Sequence, residues 1–113
     1  MKRDSRGILS YTVGVRSLDG AGPHQRGVVA TIDGNEIVLR NSGSAIDIYR
    51  LSASIEGRAW HAQLTNALAA VPAGGTSRVP VHITRGTGSA TLTVTAVSES
   101  DPSKKVTATS RRQ

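Results

Sequence analysis

The sequence predicts an all-β protein, a sandwich of seven to eight short and mostly antiparallel strands. Composition points there first. The chain holds 11 Val, 7 Ile and 11 Thr against 7 Leu, 3 Glu and 3 Lys, so β-branched side chains, which pack well on a pleated surface, outnumber the long side chains that helices favour. Patterning points there next, because apolar and polar residues alternate with period two in at least six segments, as half-buried strands require. Spacing is the third sign, since turn-forming clusters recur at intervals of about eight to twelve residues. At 113 residues one core suffices, and a chain of this length buries about two-thirds of its unfolded surface.

Taken in order, Leu9, Tyr11, Val13 and Val15 alternate with polar or small residues as a first strand, and the stretch from Ala21 to Gly27 breaks the pattern as a loop or linker. Residues 1–27 are therefore an N-terminal extension or extra strand, and 28–113 the sandwich domain. Val28–Ile32 and Glu36–Arg40 flank a three-residue Asp33-Gly34-Asn35 connection and predict a hairpin. Asn41 to Ser44 form the next turn, after which Tyr49, Leu51, Ala53 and Ile55 make the clearest strand. Trp60, Ala62 and Leu64 share a face. Thr65–Val71 has the composition of one helical turn, stopped by Pro72 and the glycines behind it. Val79, Val81 and Ile83 alternate, with Pro80 outward as on an edge strand. Thr91, Thr93 and Thr95 line the wet face of a strand whose apolar face is Leu92, Val94 and Ala96, and a last strand covers Lys105 to Thr109.

The order and spacing of several short elements resemble a known group. They are Asn41-Ser42-Gly43, Tyr49-Arg50-Leu51, Gly57-Arg58-Ala59-Trp60, Val71-Pro72-Ala73-Gly74, Val79-Pro80-Val81, Thr93-Val94-Thr95-Ala96 and Ser98-Glu99-Ser100-Asp101-Pro102. Together they resemble bacterial Ig-like accessory domains of the α-galactosidase-associated and CARDB-like type, over roughly residues 28–110. The resemblance implies an immunoglobulin-like sandwich and an extracellular or cell-surface location through a parent protein. It brings no catalytic residues.

The formal charge of +6 sits at the ends. Lys2, Arg3 and Arg6 against Asp4, and Lys104, Lys105, Arg111 and Arg112, account for all of it, while residues 7–103 hold seven Arg and seven acids. Such tails read as solvated ends, so nucleic-acid binding is not expected and trimming Arg111 to Gln113 should leave folding intact. No apolar run is long enough for membrane insertion, and Met1-Lys2-Arg3-Asp4 leads into no hydrophobic signal core, so an export signal would lie upstream. Without cysteine there is no disulfide, thiolate metal site or thiol nucleophile.

Chemistry finds little to work with. A Gly-x-Ser-x-Gly elbow is absent, and Gly86-Thr87-Gly88 leads into a strand and lacks the third glycine of a dinucleotide loop. His24, His61 and His82 are not paired at ligand spacing, and Asp19, Asp33, Asp47 and Asp101 are scattered instead of bunched for calcium. Tyr11, Tyr49 and Trp60 fall in phase with apolar neighbours and read as core anchors with internal partners for their polar tips. Together with what the resemblance implies, a secreted or cell-surface parent and attachment to a hydrolase, the expectation is a non-catalytic structural or interaction module. It has no catalytic, metal or cofactor site, no cofactor, and adjacent domains of the same polypeptide as partners. The alternative is a carbohydrate- or cell-wall-binding module using those aromatics.

Overall fold

The computed structural model describes residues 24–113. These form eight strands: β1 (Val29–Asp33), β2 (Glu36–Arg40), β3 (Asp47–Arg58), β4 (His61–Leu64), β5 (Leu68–Val71), β6 (Thr76–Thr84), β7 (Thr87–Ser98) and β8 (Lys105–Arg112). They build two four-stranded antiparallel sheets, in the orders β1-β2-β6-β4 and β5-β3-β7-β8. The protein is an all-β sandwich. The strand expected around Leu9 to Val15, with Tyr11, lies outside the described residues.

Alternation decides what the two layers enclose. Along β3, Asp47, Tyr49 and Leu51 are buried while Ile48, Arg50 and Ser52 are exposed. Along β7, Leu92, Val94 and Ala96 point inward between the threonines. Ile37, Leu39, Val79 and Val81 of the other sheet meet them, and Val71 closes one end. Each fully buried aliphatic side chain of this size contributes about 1.5–3 kcal/mol relative to exposure. A one-residue slip of β3 against β7 would turn Tyr49 and Leu51 outward, so the core itself fixes the Leu51 to Ala96 register. On the wet face, Thr95 faces Thr107 with their hydroxyls 3.3 Å apart.

Four local expectations are corrected. The first hairpin is tighter than a three-residue connection: Asp33 pairs with Glu36, leaving Gly34 and Asn35 as a two-residue loop. Gly34 has φ +60°, the requirement for the first loop position of a primed turn. Leu68–Val71 is strand β5, not a helical turn, because pairing with Asp47–Arg50 satisfies its backbone where four residues of helix would satisfy almost none. β6 is an interior strand, not an edge. Its pairing with β2 ends at Pro80 and its pairing with β4 begins at Val81, so the residue without an N–H stands where one neighbour gives way to the other. The last strand runs on through Arg112, paired with Ala90, so the basic end is part of the sheet and not a loose tail.

Candidate functional site

At one end of the sandwich the chain crosses from β3 to β4 through Gly57-Arg58-Ala59. The β3–β7 register breaks between Glu56 and Arg58, and Ala59 takes φ 60°, the only positive φ at a non-glycine among the described residues. The Trp60 N–H closes this corner on the Gly57 carbonyl at 3.3 Å. Glycine is required on both sides of the indole. A Cβ on Gly57 would stand 2.6 Å from the Ala90 Cβ and 2.7 Å from the Trp60 Cδ1, and one on Gly86 would stand 2.5 Å from the Ala59 carbonyl carbon and 2.6 Å from the same Cδ1.

Trp60 is thereby 6% exposed, and its Nε1 donates to the Thr87 carbonyl at 3.3 Å. It belongs to the end of the sandwich, apart from the central aliphatic cluster. The Arg85 guanidinium lies 5.5 Å from the centre of its ring, within range of a cation–π contact. Beside this pair is an open cleft of about 180 Å³ walled by Asn35, Trp60, Ile83, Arg85, Arg112 and Gln113. Arg112 is held there by donating from Nη1 to Asn35 Oδ1 at 2.8 Å and from Nη2 to the Gly34 carbonyl, and its buried Nε has no partner.

A second polar cluster is structural. Asp47 is 3% exposed and accepts from the hydroxyls of Ser98 and Ser100 and, at 2.8 Å, from the Ile48 N–H, with Arg26 Nη1 4.0 Å away. Burial pushes the carboxyl up, but these donors and the Arg26 charge outweigh it, and the pKa falls below the ordinary 3.8. The neighbouring Tyr49, fully buried, donates to the Gly27 carbonyl at 2.7 Å, and burial and the Asp47 charge raise its pKa. Ser98 and Asp47 are both buried, so neither that hydroxyl nor the carboxylate it bonds is open to a substrate.

Tyr49 and Trp60 are both buried with their polar tips bonded, so neither is an aromatic platform for a sugar. His24, His61 and His82 are exposed. Asp33 pairs with Arg78 at 3.0 Å, and Asp101 accepts from Ser103. The sequence reading found Trp60 but missed Arg85, Arg112, Asn35 and Ile83 as its companions. Arg85 reads as part of a turn and Arg112 as part of a tail, and only the folding of β8 beside the β1–β2 loop brings them together.

Fold and cleft define a β-sandwich with a cationic, tryptophan-backed pocket at one end. The chain belongs to the family described as the Peptidase M6-like domain, which it matches over residues 38–113. It is also 34% identical over 144 residues to a protein of the fungus Arthroderma benhamiae described as a "Putative secreted metallopeptidase", an alignment covering 94% of this chain and 21% of that protein. The chain thus spans about a fifth of this relative's length. No solved structure matches it.

These findings overturn the likeness to bacterial Ig-like accessory domains, and with it the expectations of a bacterial origin, of a non-catalytic module and of a protein that is not an enzyme. The matching family model is described as a Peptidase M6-like domain, and the relative is a fungal protein described as a "Putative secreted metallopeptidase". The carbohydrate-binding alternative is not favoured either. In this chain the motifs behind the likeness answer the geometry of a sandwich: Asn41 satisfies carbonyls, Gly57 opens a corner, and Ser98 and Asp101 brace a loop. The relative's description places that protein outside the cell, in keeping with the extracellular location expected here.

The relative's description also implies a catalytic metal, and the described residues do not fit one. No group of three His, Cys, Asp or Glu side chains able to hold an ion occurs among them. His61 and His82 lie on adjacent strands, but Thr84 stands opposite the first and Gln63 opposite the second, so the strand pairing brings no third ligand.

Proposed function

We propose that the chain works as part of a secreted peptidase that cuts polypeptides outside the cell with the help of a metal ion, and that its own share is to present the Trp60 end of the sandwich to the polypeptide. One observation carries this reading: the match to the Peptidase M6-like family runs through residues 38–113, a span that includes every wall of the cleft except Asn35. The description of the fungal relative as secreted supports the location, and the burial of Trp60 and Tyr49 speaks against a sugar platform. The described residues supply a two-sheet frame with a polar recess at its Trp60 end.

The test uses the gene product that contains this chain, secreted from a heterologous host and incubated with unfolded casein. Cleavage that stops on adding 1,10-phenanthroline and returns with a divalent metal is the expected result. Folded protein that leaves casein intact, or that cuts it regardless of the chelator, would overturn the proposal.

A further inference from the structure

We infer that the cleft between Trp60, Ile83, Arg85 and Arg112 is a binding site for an acidic side chain of a polypeptide. The inference deepens the peptidase reading by naming the chemistry that one recess of the sandwich would recognise.

Charge is the first argument. Two guanidinium groups line a single cleft of about 180 Å³, and no Asp or Glu is among the residues that wall it. The ion pairs formed among the described residues engage Arg26, Arg50 and Arg78, and neither of the cleft's arginines. Among the described residues Arg112 donates to neutral oxygens, those of Asn35 and Gly34, and Arg85 meets the indole face. Like charges placed at one recess with low-dielectric walls raise the potential there and favour an anion.

Order is the second. The bonds from Arg112 to the β1–β2 loop hold its guanidinium before any ligand arrives, and the Trp60 ring does the same for Arg85, so little side-chain freedom is lost on binding. Arginine's planar fork also matches the two oxygens of a carboxylate.

Size and lining select the occupant. Pockets for drug-sized molecules run from about 300 to 1,000 Å³, so this cleft admits a single side chain and not an extended ligand. Trp60 and Ile83 offer an apolar wall for the methylene stem of Glu or Asp, which a bare inorganic anion would leave unused.

Trp60 is the only tryptophan of the chain, so its fluorescence and its single indole N–H resonance report on this site alone. The whole chain is titrated with a capped Ala-Glu-Ala peptide, with its Ala-Gln-Ala counterpart and with inorganic phosphate. A saturable response is expected for the Glu peptide, with the Gln peptide and phosphate each binding about tenfold more weakly or worse, the equivalent of about 1.4 kcal/mol. Arg85→Gln, which disturbs no hydrogen bond described above and removes one exposed cation–π contact, should weaken the Glu peptide by a similar factor with at most a small drop in melting temperature. Arg112→Gln gives a second reading if it folds. Equal binding of Glu and Gln peptides, phosphate binding as tightly as the Glu peptide, no saturable response, or full affinity in Arg85→Gln would each overturn the site. Binding is read without hydrolysis, so this result and that of the casein assay are independent of each other.

Discussion

Ser98 donates its hydroxyl proton to the carboxylate of Asp47 across the β3–β7 pair, with both residues buried. The same hydroxyl accepts from the Asp101 N–H at 3.0 Å, so one serine ties the start of β3 to the loop that follows β7. Because the folded pKa of Asp47 lies below its ordinary value, unfolding takes up a proton in acid. The cluster's stabilisation is complete above the unfolded carboxylate value of about 4 and is lost as pH falls through the lower folded value. Asp47→Asn should therefore cost about 2–3 kcal/mol at neutral pH, with the gap to the parent protein closing below about pH 4. Melting temperatures of both proteins across this range check it, and a gap independent of pH would show that the carboxylate is not ionised in the fold.

Asn41 is fully buried and fully bonded. Its Nδ2 donates to the carbonyls of Ala45 and Val71, both at 2.8 Å, and its Oδ1 accepts from the Gly43 N–H at 2.8 Å. Asn41→Asp would turn an acceptor toward two carbonyls and Asn41→Ala would leave them bare. Either should cost about 2–4 kcal/mol in chemical denaturation, and a loss within the noise would remove the side chain from its bracing role.

The β3–β4 corner makes two predictions of opposite sign. Gly86→Ala drives a methyl group into backbone at Arg58 and Ala59 and against the indole, so its melting temperature should fall sharply and its tryptophan emission shift red. Ala59→Gly relieves a positive φ. The relief, about 1–2 kcal/mol for an L-residue, exceeds glycine's entropic cost of about 0.5–1 kcal/mol, and the variant should match or exceed the parent in stability.

Trp60→Ala should cost about 3–5 kcal/mol, the range for removing a buried large aromatic. In the parent protein the emission should be blue-shifted and resistant to a soluble quencher. An unchanged melting temperature on replacing Trp60 would contradict its burial.

Removing Arg111 to Gln113 takes away the end of β8 and the bonds from Arg112 to Asn35 and Gly34. A loss of about 1–2 kcal/mol is expected, together with loss of the Glu-peptide response. Stability equal to that of the full chain would restore the picture of a solvated tail.

Most strands were legible because a period of two survives in composition. Tyr49 to Ile55 and Leu92 to Ala96 each show in linear order which side faces in. Pro80 misled because the local rule confines proline to edges, whereas β6 lies between two partners that cover different stretches of it, and Pro80 stands where one pairing ends and the other begins. Thr65 to Val71 misled because its alanines and leucine fit a helix as well as a strand until Asp47–Arg50 offers backbone partners.

The sequence by itself determined the all-β class, the burial of Tyr49 and Trp60, and the turns at Gly34 and Asn41, since each follows from the stereochemistry of a residue and its near neighbours. Only the tertiary structure decided that Arg85 and Arg112 share one cleft with Trp60, and that Ser98 serves Asp47 from 51 positions away. Those pairings depend on which strands lie side by side and which loops meet at one end of the sandwich. Strand order is settled by the joint burial of both sheets and is written in no single segment.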